Sequence, residues 1–153
     1  MTTEGAFHVG SYALEAERYY DRETHLWIEL MDDRRARCGF DPLGAETCGD
    51  IVAVSFEAVG SAVARRESFG NLEAAKFVGP LLAPVSGRLL AVNDAVLANP
   101  ALVNERPLES WLVELELDRP AEELPLLLHG EEAVAPWFGG EIERYRQEGM
   151  IAE

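Results

Sequence analysis

The chain has 153 residues, enough for one domain of ordinary size with a self-sufficient core. Apolar residues make up 48% of it, and 28 acids against 13 bases give a formal net charge of −15. So acidic a chain is a poor partner for nucleic acid or an anionic membrane, both polyanions, and suits docking on basic patches of larger proteins. No stretch approaches the roughly eighteen apolar residues of a membrane span. Met1 to Ala13 lacks the basic start and apolar run of a signal peptide. Two cysteines, Cys38 and Cys48, do not make a secreted disulfide framework. A cytoplasmic protein is expected, or an organelle-matrix one after removal of a transit peptide.

The N-terminal residues, through Asp21, read as a polar lead-in. Tyr12, Leu14, Tyr19 and Tyr20 are placed to pack on the body, and Ser11 to Tyr20 reads as a short helix. The first clear strand is His25 to Leu30. Asp32-Asp33 makes the turn, and Arg35 to Cys38 returns as a second strand. There Ala36 and Cys38 face inward and the arginines face water, so Cys38 is a small core residue. Asp41 followed by Pro42 is an N-cap with proline at the first helical position, predicting a short helix to Thr47. Cys48 fills the core beneath it; its spacing from Cys38 supports neither a disulfide nor a metal site.

From Gly49 the pattern is all-β. Asp50 to Phe56 is rich in β-branched residues, Ala62 to Ala64 is a short strand after Gly60, and Phe69 to Glu73 is a further strand. Phe77 to Ala83 descends through Gly79-Pro80, Pro84 to Gly87 turns, and Arg88 to Asn93 is the next strand. Many short strands with regular turn signals indicate a sandwich or barrel. Asn99 to Asn104 reads as a helical turn, and Trp111 to Leu117 alternates with period two, as a half-buried strand does. After Pro120 the pattern turns helical, with candidates over Glu122 to Leu128, Glu131 to Phe138 and Glu141 to Gln147. Trp137, Phe138, Ile142 and Tyr145 give this acidic tail its apolar stripe.

One residue stands out chemically. Lys76 is the only lysine; the other twelve basic residues are arginines. Arginine stays protonated, whereas a lysine amine can be acylated. Lys76 falls between two extended stretches, so it sits at the tip of a hairpin, with Gly79-Pro80 stiffening the descending side. An exposed tip offers little to desolvate a lysine, which tells against a general base or Schiff-base lysine and favours modification by another enzyme.

Phe69 to Lys76, followed by Leu82 to Gly87, resembles the lipoyl-attachment hairpin of glycine cleavage system H proteins. Glu73, three residues before Lys76, and Pro84, eight after it, match that motif. His25-Leu26-Trp27 resembles the family's early His-Glu-Trp, and Gly49-Asp50-Ile51-Val52 its Gly-Asp-Ile-Val strand. Val92-Asn93, Asn99-Pro100, Leu102-Val103-Asn104, Pro107 and Trp111-Leu112 follow the family's distal pattern in order. The resemblance covers roughly residues 20 to 130. It implies a mainly β barrel-sandwich hybrid with short helices, the C-terminal ones packed on the barrel. Residues 21–118 would form the carrier body, 1–20 an N-terminal extension and 119–153 an acidic helical extension. It implies lipoate in amide linkage to Lys76, with Glu73 helping a lipoate ligase or lipoyl transferase to recognise the hairpin. Such a protein is a carrier and not a catalyst, expected as a monomer. Its arm moves an aminomethyl group between glycine decarboxylase, aminomethyltransferase and dihydrolipoamide dehydrogenase, with tethering in place of free diffusion.

Some positions depart from the family's pattern. Phe77-Val78-Gly79-Pro80 replaces small residues followed by Asp, Arg66 stands where a turn glycine is expected, and Ala74-Ala75 replaces Ser-Val. These changes suit an alternative: the H-like lipoate-binding proteins that carry sulfur intermediates for a heterodisulfide-reductase-like complex in sulfur oxidisers. A biotin carrier would show methionine on both sides of the lysine, where Ala75 and Phe77 stand. A hydrolase or acyltransferase needs a nucleophile with its base, and His8, His25 and His129 lie in no such motif. An unmodified interaction protein would have no need of the Glu73–Lys76 pairing.

Overall fold

The computed structural model describes residues 5–152; the outermost ends of the two expected extensions, residues 1–4 and 153, lie outside the described residues. Strands β1 (Ala6–Val9) and β2 (Tyr12–Glu15) form a hairpin closed by Gly10, at φ 60, and Ser11. This corrects the helix expected over Ser11 to Tyr20. Alternation decides the matter: Leu14 is buried while its neighbours Ala13 and Glu15 point outward, as in a half-buried strand. β3 (Tyr19–Tyr20) then pairs with β4 (Leu26–Leu30), which pairs in turn with β5 (Arg35–Phe40). Ala36 and Cys38 face inward as the alternation requires.

α1 (Pro42–Cys48) begins where expected, with the Asp41 carboxylate accepting from the Gly44 N–H at 2.8 Å. β6 (Ile51–Phe56), β7 (Ala62–Val63), β8 (Ser68–Ala74), β9 (Val78–Leu82) and β10 (Gly87–Val92) follow. A short helix that the pattern did not announce, α2 (Asp94–Ala98), is capped by Asn93, whose side chain accepts from the Ala95 N–H. α3 (Ala101–Glu105) starts within the helical turn expected over Asn99 to Asn104 and runs one residue past it, and β11 (Val113–Leu117) lies within its predicted stretch.

The tail departs from expectation twice. Instead of one helix over Glu122 to Leu128 there is α4 (Pro120–Glu123), a 3-10 turn at Leu124–Leu126, and β12 (Leu128–His129), which pairs with β3. The two helices expected beyond it are one, α5 (Glu131–Gln147), running through Gly139-Gly140. Paired glycines are weak helix formers. They are carried here because Phe138 and Ile142, on either side, insert into one buried cluster.

Seven strands form one antiparallel sheet in the order β12-β3-β4-β5-β11-β10-β7, and three form another in the order β6-β8-β9. The main core lies between them, with Ile28 and Cys38 from one sheet meeting Phe69, Leu72 and Leu81 from the other. A second apolar cluster joins the β1–β2 hairpin to α5 through Phe7, Leu14, Phe138 and Ile142. β9 is an edge strand, so Pro80, opposite Asn71, withholds an N–H that no neighbouring strand needs.

Candidate functional site

Lys76 lies at the tip of the β8–β9 hairpin, as the spacing predicts: Glu73 faces Val78, and the Ala74 N–H closes the loop onto the Phe77 carbonyl at 2.8 Å. Its side chain is exposed and makes no ion pair with any described residue. The tip is nonetheless held firmly at its base. The Lys76 N–H donates to the Cys48 carbonyl at 2.8 Å, and the Ala75 N–H donates to the Asp50 carbonyl at 2.9 Å. The end of α1 and the turn after it therefore anchor the backbone, leaving only the side chain free to sweep.

Two residues prepare that anchor. Gly49 adopts φ 75, and a Cβ there would lie 3.1 Å from Lys76 Cγ and 3.3 Å from its amide nitrogen. Only glycine admits both the backbone conformation and the close approach. Asn104, on α3, accepts from the Ile51 N–H and donates to the Gly49 carbonyl, both at 2.9 Å, so it clamps the turn from behind. Both positions belong to the resemblance, but their roles appear only once the elements are assembled.

Glu73 is exposed on the outer face of the three-stranded sheet, beside Val78 and a bulge in β6 that turns Val52 to solvent. No ion pair joins it to Lys76 among the described residues. On the other side of the tip opens a cleft of about 280 Å³, with Lys76 at its rim. Leu26, Phe40, Phe77 and Leu81 line it from the barrel, and Tyr145 and Met150 from the C-terminal segment. Cys48 lies at its edge. Both cysteines are free; burial pushes the Cys48 thiol up to about 11 and the Cys38 thiol higher, so neither is poised as a thiolate.

His25 also lines this cleft, although 3% exposed. It precedes β4 at φ 60 instead of lying within the strand. Its Nδ1 donates to Asp41 at 2.7 Å and its Nε2 to Glu141 at 2.8 Å, while Trp137 stacks on the ring at 4.9 Å. Only the imidazolium donates from both nitrogens. Burial alone disfavours that charge, but Asp41 and Glu141 outweigh it and raise the histidine above its ordinary range. The histidine therefore ties the start of α1 to α5. Its partners lie 16 and 116 residues away, beyond the reach of any motif.

The family described as glycine cleavage H-protein matches residues 18–137. Glycine cleavage system H proteins of Chlorobium chlorochromatii (strain CaD3) and Mycobacterium sp. (strain KMS) are similar in sequence. The first is 40% identical over 105 residues, 69% of this chain and 83% of that protein. The second is 41% identical over 118 residues, 76% of this chain and 88% of that protein. A crystal structure of a glycine cleavage system H protein from Mycobacterium marinum superposes with a TM-score of 0.71 at 28% identity, covering 84% of this chain and 98% of the other. The barrel-sandwich hybrid expected from the sequence is thereby borne out, and the sulfur-oxidation alternative is not favoured. The chain belongs to the glycine cleavage H-protein family and is a carrier protein of the glycine cleavage type.

Proposed function

We propose that Lys76 carries lipoate in amide linkage and that the chain serves as the mobile arm of a glycine cleavage system. The observation that carries this reading is the geometry of the tip: a single lysine, exposed, on a backbone fixed by the Cys48 and Asp50 carbonyls. The residues suit the group, because the amine is free for acylation and an apolar cleft opens directly beside it. When bound, the dithiolane supplies redox-active sulfurs that accept and release the transferred group. The chain's own part is to hold the root still, to present Glu73 on the exposed sheet face to a lipoate ligase or lipoyl transferase, and to offer Phe77 and Val78 for docking. Its partners in this reading are glycine decarboxylase, aminomethyltransferase and dihydrolipoamide dehydrogenase, met as a monomer in the cytoplasm. Residues 21–118 form the carrier body, with 1–20 and 119–153 as its extensions.

Co-expression with a lipoate ligase, followed by intact-mass and peptide mass spectrometry, tests this directly. The wild type should gain one lipoyl group on Lys76. Lys76→Arg should gain none and keep its fold, because a change at an exposed tip alters stability by less than about 0.5 kcal/mol. Glu73→Ala should be lipoylated about tenfold more slowly at unchanged stability, a loss of about 1.4 kcal/mol in recognition. A wild type that stays unmodified beside a control carrier that is modified defeats the proposal.

A further inference from the structure

Two stretches of the described chain lie outside the family match, residues 5–17 and 138–152, and the structure packs them on each other. Phe7 and Leu14 from the N-terminal hairpin share a buried cluster with Phe138, Ile142 and Ile151. Tyr12 stands edge-on to Phe138 at 5.6 Å and donates to Glu46 on α1 at 2.7 Å. The result is a cap whose inner surface supplies Tyr145 and Met150 to the cleft at Lys76.

The cap is fastened at two points. One is the pair of hydrogen bonds that His25 makes to Asp41 and Glu141. Arg144 holds the same Glu141 carboxylate from the solvent side at 2.8 Å and 3.1 Å, and stacks on Tyr145. These are the charged groups that face His25 from the elements around it: Asp41 ahead of α1, and Glu141 from α5 with Arg144 behind it. The other fastening is the end of α5. Gly149, at φ 78, reverses the chain, the Met150 N–H donates to the Tyr145 carbonyl at 2.9 Å, and the Gly149 N–H donates to the Arg146 carbonyl at 3.1 Å. This paired closure with a left-handed glycine folds Met150 back over the cleft and buries Ile151.

The cleft so completed has a mainly apolar lining. Of the charged residues that line it, His25 is matched by two carboxylates and Glu23 pairs with Arg66 at 2.9 Å, while Lys76 at the rim loses its charge on acylation, so the cleft offers the acylated arm no unmatched charge. Such a surface suits an uncharged alkyl group, and one tethered at Lys76 needs only to fold over to reach it.

We propose that the C-terminal segment from Glu141 to Met150 is a latched wall of the cleft, with Tyr145 and Met150 in contact with the arm and Glu141 acting through His25 to hold them there. The wall sets the fraction of time that the arm is withdrawn from solvent. This rests on the lipoylation of Lys76.

The test uses full-length protein shown by intact mass to be lipoylated or not. Hydrogen exchange is compared between the two forms. Dithiothreitol then reduces the lipoyl disulfide to the dithiol by thiol–disulfide exchange, itself becoming the cyclic disulfide, and loss of dithiolane absorbance gives the rate relative to free lipoamide. Lipoylation should slow exchange of amides in 141–150. The Tyr145→Ala/Met150→Ala double variant should be reduced about tenfold faster than wild type, because reactivity scales with the exposed fraction. Glu141→Ala should also be reduced faster, and Glu141→Asp should restore part of the protection. Unchanged exchange together with equal reduction rates in lipoylated wild type and double variant overturns the wall and leaves the carrier reading standing. An unmodified Lys76 overturns both, and the mass measurement alone reports it.

Discussion

Arg66 shows how one side chain can outweigh an unfavourable backbone. It occupies φ 76, the left-handed region that a β-carbon disfavours, at the turn where a glycine is expected. Its guanidinium grips both oxygens of Asp21 and reaches Glu23 at 2.9 Å. Asp21 is 1% exposed. Burial alone would raise its carboxyl, but Arg66, Thr24 and the Glu23 N–H outweigh this and hold it below the usual carboxylate range. Arg66→Gly would relieve about 1–2 kcal/mol of backbone strain yet leave a buried carboxylate without its cation, at about 3–5 kcal/mol. The variant should therefore be less stable by about 2 kcal/mol at neutral pH in urea denaturation. A group whose folded value is depressed contributes stability above its unfolded value, near 3.9 for aspartate, and loses it as pH falls through the folded value. The gap between variant and wild type should close in acid; a gap that persists unchanged would assign Arg66 a packing role instead.

At the scale of elements, α5 depends on a charge that varies with pH. Because Asp41 and Glu141 raise His25, the sign is that of a stabilised cation. Its contribution to docking α5 is complete below about pH 6.5, the ordinary histidine value, and is lost as pH rises through the folded value. Hydrogen exchange along Glu131–Gln147, corrected for intrinsic rate, should show less protection at about pH 9 than at about pH 6, with β4 and β5 unaffected. Equal protection at both would show that the apolar contacts of Phe138 and Ile142 suffice. The same helix marks where the sequence is legible and where it is not. Strands with one buried face, such as Val113–Leu117, announce themselves because period-two alternation is a local signal. The Lys76 hairpin does too, since its turn and flanking strands are contiguous. The β1–β2 hairpin does not: Tyr12 and Leu14 are compatible with either period until Phe7 and α5 are in place. Gly139-Gly140 reads as a helix break until the core on both sides overrides local propensity. The site divides in the same way. Lys76 and Glu73 are readable as a spacing, whereas the Asn104 clamp and the His25 bridge join residues distant in sequence.

For the whole molecule, the excess of 15 negative charges sets how the carrier meets its partners. Many of the arginines are already committed to internal ion pairs, among them Arg18, Arg35, Arg66, Arg144 and Arg146. Near the tip, Glu23, Glu46, Asp50 and Glu73 are all exposed. Acylation of Lys76 would remove the positive charge at the tip itself, so the modified tip is more acidic than the unmodified one. Charges of one sign speed encounter with an oppositely charged surface and are screened over about 8 Å at physiological salt, while apolar contacts at the centre govern dissociation. Phe77, at 41% exposure, and Val78, at 75%, are the apolar contacts available beside the lysine. Two effects should therefore separate when lipoylated protein binds immobilised glycine decarboxylase. Raising salt from about 0.05 M to about 0.5 M should cut the association rate at least tenfold and change dissociation little. Phe77→Ala should raise the dissociation rate by about tenfold and leave the salt dependence of association intact. Association indifferent to salt would mean that the acidic surface serves solubility alone. An unchanged dissociation rate for Phe77→Ala would place the apolar anchor elsewhere on the carrier.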